Sequence, residues 1–173
     1  IYFALCELDC VMIPIDESTN SDVIVNVINS SNANAVITTQ KLVLKEYKKA
    51  ISISFGYICY CTGKKENDIP DDIMQMLYTS GTTGLPKCVM YSKENMANNI
   101  LILAKALGLS ENDVIYTPIS LMLPAALNTV LMPALLSGTR TYVSKSTIPG
   151  KVLRNVINQK VTVFFAVPFY YKL

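Results

Sequence analysis

Residues 78–87 combine the side chains that binding a polyphosphate requires. They read Tyr-Thr-Ser-Gly-Thr-Thr-Gly-Leu-Pro-Lys, which places four Ser or Thr hydroxyls, two glycines and a lysine in one short segment. Glycine lets the backbone N–H groups approach oxygen atoms closely, hydroxyls donate further hydrogen bonds, and a lysine adds a positive charge. The candidate phosphate-binding residues are therefore Thr79, Ser80, Gly81, Thr82, Thr83, Gly84 and Lys87.

The spacing within this segment separates it from the Walker motif. The pattern GxxxxGK[ST] is not present, because Pro86 precedes Lys87 and Cys88 follows it. A surface hairpin rich in Gly, Ser and Thr is the alternative that a shorter string would favour. The length of the string favours a phosphate site of a different kind from that of the P-loop NTPases.

Composition excludes several other classes of protein. The sequence has 173 residues, 51% of them apolar and 16% charged, which is typical of one folded domain or most of one. It contains no histidine, so a Ser-His-Asp or Cys-His centre and an imidazole-ligated metal site cannot form within it. A net charge of +2 lacks the strong basic excess of nucleic-acid-binding domains, and we expect no nucleic-acid partner.

The cysteines predict a reduced compartment. Their number is odd and no CxxC pair occurs, which favours free thiols in a cytoplasmic protein. They are Cys6, Cys10, Cys59, Cys61 and Cys88. Cys59 and Cys61 would share one face of a strand, so a metal site or a disulfide stays open there beside the interpretation as small buried hydrophobes.

Apolar periodicity predicts an α/β fold, because it changes repeatedly between helical and strand spacing. Predicted strands are 11–13, 35–38, 51–55, 73–79, 88–91, 114–117, 140–143 and 161–167, and predicted helices are 1–8, 23–28, 41–50, 93–108, 125–136 and one from Pro149. The inward stripes of the two later amphipathic helices would be Met96, Ala97, Ile100, Leu101, Ala104 and Leu107, and Val152, Leu153, Val156 and Ile157. Residues 62–72 form a polar loop.

One uncharged run raises the question of a membrane span. Residues 114–139 are long enough to cross about 30 Å of hydrocarbon. Pro118, Pro124 and Pro133 interrupt the run, and a strand, a turn and a buried helix explain it equally well. We therefore expect no membrane span.

The glycine-rich segment resembles the phosphate-binding signature of the adenylate-forming superfamily, which includes acyl- and aryl-CoA synthetases, luciferases and the adenylation domains of peptide synthetases. Four further segments are similar to that family in order and spacing, namely residues 11–16, 89–95, 113–118 and 160–168. Four residues depart from the family pattern. Cys88 and Asp9 stand where glycine is common, and Lys93 and Leu121 stand where histidine is common.

The resemblance implies that residues 1–173 form part of the large N-terminal domain. The C-terminal lid domain, the motifs that contact adenine and ribose, and the C-terminal lysine would all follow Leu173. We therefore name no catalytic residue and no metal ligand in this chain, and expect the chain alone to be inactive.

The resemblance also implies a two-step reaction. A carboxylate attacks the α-phosphorus of ATP to give acyl-AMP and pyrophosphate, and the thiol of CoA or of a carrier-protein pantetheine then takes the acyl group. The segment Thr79 to Gly84 would wrap the β- and γ-phosphates, Lys87 would support the loop or the departing pyrophosphate, and Mg²⁺ would be the counterion. A solvated Lys87 without a role stays an alternative.

The missing acidic residues bear on the substrate. No Asp or Glu occurs from Val114 to Leu173, whereas amino-acid-activating relatives hold the substrate ammonium with an aspartate in this region. A buried ammonium without a carboxylate would be unfavourable, so an acyl or aryl acid is expected. The alternatives are an amino-acid adenylation domain fragment, in which another segment supplies the carboxylate, and a non-catalytic nucleotide- or acyl-binding relative.

Overall fold

The computed structural model describes residues 1–39, 49–63, 69–79, 87–144, 146 and 148–172. Its helices are α1 (Tyr2–Glu7), α2 (Ser21–Ser31), α3 (Lys93–Ala106), α4 (Pro124–Ala126), α5 (Met132–Leu136) and α6 (Pro149–Asn158). Its strands are β1 (Ala35–Thr38), β2 (Lys49–Ser52), β3 (Ile58–Cys61), β4 (Ile73–Thr79), β5 (Lys87–Ser92), β6 (Val114–Thr117), β7 (Arg140–Val143) and β8 (Val163–Phe164). Leu127–Leu131 is a π-helical segment between α4 and α5, and Ser54–Gly56 and Pro168–Tyr171 are 3-10 helices.

These elements fall into two compact units. One unit contains Ile1–Ser18, Asp72–Thr79 and the described residues from Lys87 onward, and the other contains the described residues of Thr19–Asp71. Strands and helices occur in both, which confirms the predicted α/β class.

The unit built from Thr19–Asp71 contains α2 and an antiparallel sheet in the order β1-β3-β2. The Asn20 side chain caps α2 by accepting a hydrogen bond from the N–H of Asp22 at 2.8 Å. The helix ends at Asn32, whose φ of 52° is in the left-handed region that Asn tolerates. The helix therefore extends beyond the residues 23–28 that were predicted.

A parallel sheet in the order β7-β6-β8 forms the core of the other unit. Ile115 of β6 packs with Val130 and Ala134 on one face of the sheet. On the other face Tyr116 is fully buried and stacks on Tyr142, with ring centroids 5.6 Å apart. Helical residues cover both faces of the sheet. Val130 and Ala134 lie on one face, and on the other Asn155 of α6 donates a 3.4 Å hydrogen bond to the Tyr116 hydroxyl.

The uncharged run is divided as predicted. It forms β6, a turn and the helical residues Pro124–Leu136, rather than one continuous α-helix. Pro133 has no N–H to donate to the carbonyl four residues earlier. The π-helical segment therefore lies where a regular α-helix would lack one backbone hydrogen bond. In the part of the chain that the structure describes, no helix has the length and apolar character needed to cross a bilayer.

The predictions of one helix and one strand were wrong at their ends. Lys49 and Ala50 belong to β2, not to a helix over 41–50, because they pair with Cys61 and Tyr60 of β3; residues 41–48 of that prediction lie outside the described residues. The strand expected over 51–55 stops at Ser52, since the chain turns back through Phe55 and Gly56, which have φ values of 63° and 79°.

Other predicted strands and buried helix faces were too long or too wide. The strand expected over 161–167 pairs only at Val163–Phe164, and that over 11–13 is a single bridge from Met12 to Gln75. The helix stripes are narrower than predicted. Leu101, Leu107, Leu153 and Ile157 are exposed, because α3 turns Met96 and Ala104 inward and α6 turns Val152 inward.

The amino end of the parallel sheet is fixed by one carboxylate. Asp113 accepts hydrogen bonds from the Ser110 hydroxyl at 2.7 Å, the Ser110 N–H at 2.9 Å and the Thr162 hydroxyl at 2.8 Å. Because Ser110 and Thr162 hold the charged form, they lower the pKa of Asp113. The contact to Thr162 ties the start of β6 to the residue that precedes β8.

We expect the stabilising effect of Asp113 to disappear in acid. A carboxylate whose pKa is depressed in the folded state adds stability above its unfolded pKa of about 3.9, and loses it as the pH falls through the folded pKa. Urea unfolding of the full-length protein should show Asp113→Asn less stable than wild type at about pH 7, with the difference shrinking toward about pH 3. Glu111→Gln, which removes an exposed carboxylate of the same turn, is the control, and a difference independent of pH would contradict this role.

Candidate functional site

The antiparallel pairing of β4 and β5 brings together the two ends of the candidate phosphate loop. Thr79, the last residue of β4, lies opposite Lys87, the first residue of β5. Ser80, Gly81, Thr82, Thr83 and Gly84 lie outside the described residues, so their role stays a prediction. Two of the seven predicted residues therefore occupy neighbouring backbone positions, and Lys87 is exposed there.

Strand β4 is a firmly held base for this loop. Gln75, Met76 and Leu77 are all buried, so both faces of the strand are covered. On the edge opposite β5, the Met12 N–H donates to the Met74 carbonyl at 3.0 Å and the Met76 N–H donates to the Met12 carbonyl at 2.8 Å. Hydrogen bonds on both edges restrict where the loop begins and ends.

A polar pair joins α1 to the buried strand β4. The Tyr2 hydroxyl of α1 donates to Gln75 Oε1 at 2.9 Å, and burial, with a smaller contribution from Cys6, raises the pKa of Tyr2 to about 12. Tyr2 therefore stays a hydrogen-bond donor at any working pH. Gln75 is fully buried, and its Nε2 has no hydrogen-bond partner among the described residues.

The junction that follows the loop is set by a helix cap. The Ser92 hydroxyl accepts a hydrogen bond from the Asn95 N–H at 3.1 Å, which confirms the predicted start of α3. The Lys93 N–H also donates to the Asp72 carbonyl at 2.9 Å, just before β4 begins. At the other end of α3, Gly108 has a φ of 59°, as the predicted glycine stop requires.

Two departures from the family pattern contact each other. Lys93 Nζ lies 2.5 Å from Asp9 Oδ1, and both side chains are exposed to solvent. Asp9 has a φ of 56°, a left-handed conformation that glycine adopts without strain.

The carboxyl end of the parallel sheet gathers hydroxyl groups. Thr117 ends β6, its hydroxyl accepts from the Ile119 N–H at 3.1 Å, and its carbonyl accepts from the Ser144 N–H at 3.1 Å. Ligands of open α/β sheets bind outside this edge. Met122 and Leu123, which follow, are exposed.

Sequence reasoning missed the carboxylate that reaches this edge. Asp16 accepts hydrogen bonds from the hydroxyls of Ser120 and Ser18 and from the Ser18 N–H, and these lower its pKa. The only signal in the sequence was its place in a segment similar to the family. Among the described residues no cluster of three or more Cys, Asp or Glu side chains is suited to hold a metal ion.

Comparison with known proteins identifies the family. The family model described as AMP-binding enzyme matches residues 1–173. The chain therefore belongs to the AMP-binding enzyme family, as its phosphate-loop signature predicts.

Individual relatives agree with this assignment. The feruloyl-CoA synthase of Amycolatopsis sp is 33% identical over 108 residues, which cover 61% of this chain and 22% of that protein. The ATP-bound structure of MatB from Rhodopseudomonas palustris is 26% identical with a TM-score of 0.52, over 65% of this chain and 22% of that one. O-succinylbenzoate coenzyme A synthetase from Bacillus subtilis, in complex with AMP, shares the fold over 94% of this chain and 44% of its own, with a TM-score of 0.72 at 19% identity.

We expect Tyr2 and Gln75 to be energetically coupled. Tyr2→Phe alone leaves the buried Gln75 Oε1 unpaired and should cost about 1–3 kcal/mol of unfolding free energy. Gln75→Met alone leaves the half-buried Tyr2 hydroxyl without its partner and should cost less, because water can reach that hydroxyl. The double variant removes both groups together with the unpaired Nε2, so its cost should be well below the sum of the two. Urea unfolding of the four proteins measures this, and additive losses would show that the pair is not coupled.

Proposed function

We propose that the protein containing this chain is an ATP-dependent acid–thiol ligase. It activates a carboxylic acid as acyl-AMP with release of pyrophosphate, and then transfers the acyl group to a thiol. The observation that carries this proposal is the antiparallel pair Thr79–Lys87, which closes a segment of Gly, Ser and Thr in a chain of the AMP-binding enzyme family. The CoA ligase and synthetase names of its relatives support the same reaction.

In this proposal the loop binds the β- and γ-phosphates of ATP. Backbone N–H groups and hydroxyls of Thr79, Ser80, Gly81, Thr82, Thr83 and Gly84 surround the phosphate oxygens, and Lys87 neutralises charge as pyrophosphate leaves. Mg²⁺ would be bound through the phosphates and water, since Mg²⁺ needs few protein carboxylates when a phosphate ligand is present. This agrees with the lack of an acidic cluster among the described residues.

The chain spans 22% of the length of the feruloyl-CoA synthase that it matches, so it represents part of the proposed enzyme. We assign it to the N-terminal domain, with the lid domain and the remaining nucleotide contacts supplied by other segments. The acceptor thiol in this proposal is CoA or a carrier-protein pantetheine. The odd number of free cysteines supports a cytoplasmic location for the protein.

The acid is expected to be acyl or aryl rather than an α-amino acid. Residues 114–173 contain no carboxylate side chain. A buried ammonium would therefore lack a counterion within that stretch.

Replacing Lys87 or Gly84 should impair adenylation. A charge-assisted hydrogen bond is worth about 1.5–3 kcal/mol, so Lys87→Ala should lower kcat/KM for ATP in ATP–pyrophosphate exchange by about 10- to 100-fold. Gly84→Ala should also weaken exchange, because a side chain obstructs the approach of backbone N–H groups to phosphate.

Matched controls separate these effects from general damage. Lys105→Ala removes an exposed lysine near the end of α3, and Gly150→Ala adds a methyl group where nothing lies within 4 Å. Both should retain exchange. Equal losses in Lys87→Ala and Lys105→Ala would contradict the phosphate role of Lys87.

The acid class is tested in the same assay with pooled acids. We expect the full-length protein to exchange pyrophosphate with a fatty- or aryl-acid pool and not with an α-amino-acid pool. Exchange with amino acids alone would overturn the substrate class while keeping adenylation. A folded protein that binds ATP and exchanges with no pool would overturn the ligase proposal and favour a non-catalytic relative.

A further inference from the structure

Two cysteine side chains share one face of the central strand β3. Cys59 and Cys61 are two residues apart, so their side chains point to the same face of the sheet. Both side chains are half-buried rather than sealed inside the protein. A small reagent can therefore reach two sulfur atoms at once.

The surrounding sheet holds this pair in place. Cys59 lies opposite Ile37 of β1 and Ile51 of β2, and Cys61 lies opposite Ala35 of β1 and Lys49 of β2. Residues directly opposite each other in a ladder share a face, so Cys59 has two apolar neighbours, whereas Cys61 has one apolar and one basic residue opposite it. Because β3 is hydrogen-bonded on both edges, the backbone separation of the two cysteines is fixed.

That separation favours a bridging ion over a disulfide. Residues two apart in a strand have Cα atoms about 6.6 Å apart, close to the upper limit of about 6.8 Å for a disulfide. Two metal–sulfur bonds of about 2.3 Å span sulfur atoms roughly 4 Å apart, a separation that two side chains on one face of a strand reach by turning toward each other. An ion can therefore join the thiols without moving the strand.

The number of ligands decides which ion fits. Structural zinc sites take four protein ligands, whereas no group of three or more Cys, Asp or Glu side chains suited to a metal occurs in the described part of the chain. Two sulfur ligands suffice for a soft ion of low coordination number, since thiolates select soft ions. We propose that Cys59 and Cys61 form a dithiol site that captures one soft, thiophilic centre of the trivalent arsenical type.

The binding step is a condensation without any redox change. With phenylarsine oxide as the probe, the As=O bond is replaced by two As–S bonds to Cys59 and Cys61. The two S–H protons leave with the oxygen as one molecule of water, and arsenic stays trivalent. Burial and the neighbouring thiol raise the pKa of Cys59, and the reaction accepts protonated thiols because their protons end in water.

The test is intact-mass spectrometry of the folded full-length protein treated with phenylarsine oxide. An excess of 2-mercaptoethanol removes arsenic held by one thiol, so any adduct that survives has two. We expect Cys59→Ser and Cys61→Ser each to carry one stable adduct fewer than wild type. The double variant Cys6→Ser with Cys10→Ser removes another pair of nearby cysteines, and it should keep the adduct.

A second measurement does not depend on the variants folding. Wild-type protein treated with the arsenical should lose iodoacetamide labelling at both Cys59 and Cys61, and 2,3-dimercaptopropanol should restore it. An unchanged adduct count in both single variants, or loss of the adduct in the Cys6 and Cys10 variant instead, overturns the proposal. So does continued labelling of Cys59 and Cys61 in the arsenical-treated wild type.

Discussion

The structure of the candidate site depends on the backbone ladder between β4 and β5. A loop that binds phosphate through N–H groups has to begin and end at fixed positions, because each hydrogen bond tolerates only a few tenths of an ångström of error. The pair Thr79 and Lys87 sets both ends, and the bridge to Met12 secures the far edge of β4. The candidate site is thus prepared by main-chain hydrogen bonds, which many different side chains can maintain.

The parallel sheet is held at both ends and in its centre. At the amino end Asp113 and Thr162 connect β6 to the start of β8. In the middle, Tyr116 is buried between Tyr142 and Phe164, with ring centroids 5.6 and 5.8 Å away. At the carboxyl end, the Thr117 hydroxyl accepts a hydrogen bond from the Ile119 N–H, and its carbonyl accepts one from the Ser144 N–H.

How far the sequence predicts this fold depends on whether a signal is local. β1, β4, β6 and β7 occur at the predicted residues, because alternation, β-branched side chains and turn residues all lie within the segment. The cap at Ser92 was predictable for the same reason. β2 was not, since Lys49 and Ala50 become a strand only through pairing with β3. The helix stripes were drawn too wide because periodicity does not reveal which neighbour is present.

The same distinction applies to the candidate site. The phosphate segment was recognisable, because its residues are consecutive. The contacts of Asp16 with Ser120 and of Lys93 with Asp9 join positions far apart in sequence, so one sequence gives no sign of them.

Three of the four departures from the family pattern occupy positions that leave the pairing of Thr79 with Lys87 undisturbed. Lys93 pairs with Asp9 at the surface, where such an ion pair contributes about 0–1 kcal/mol, so the fold does not depend on it. Cys88, which replaces a common glycine, lies within β5 opposite Tyr78 and continues a regular ladder. A strand interior accepts a residue with a side chain more readily than glycine, because glycine loses more backbone entropy there. These substitutions leave Thr79 and Lys87 paired, so a non-catalytic relative is the less favoured interpretation.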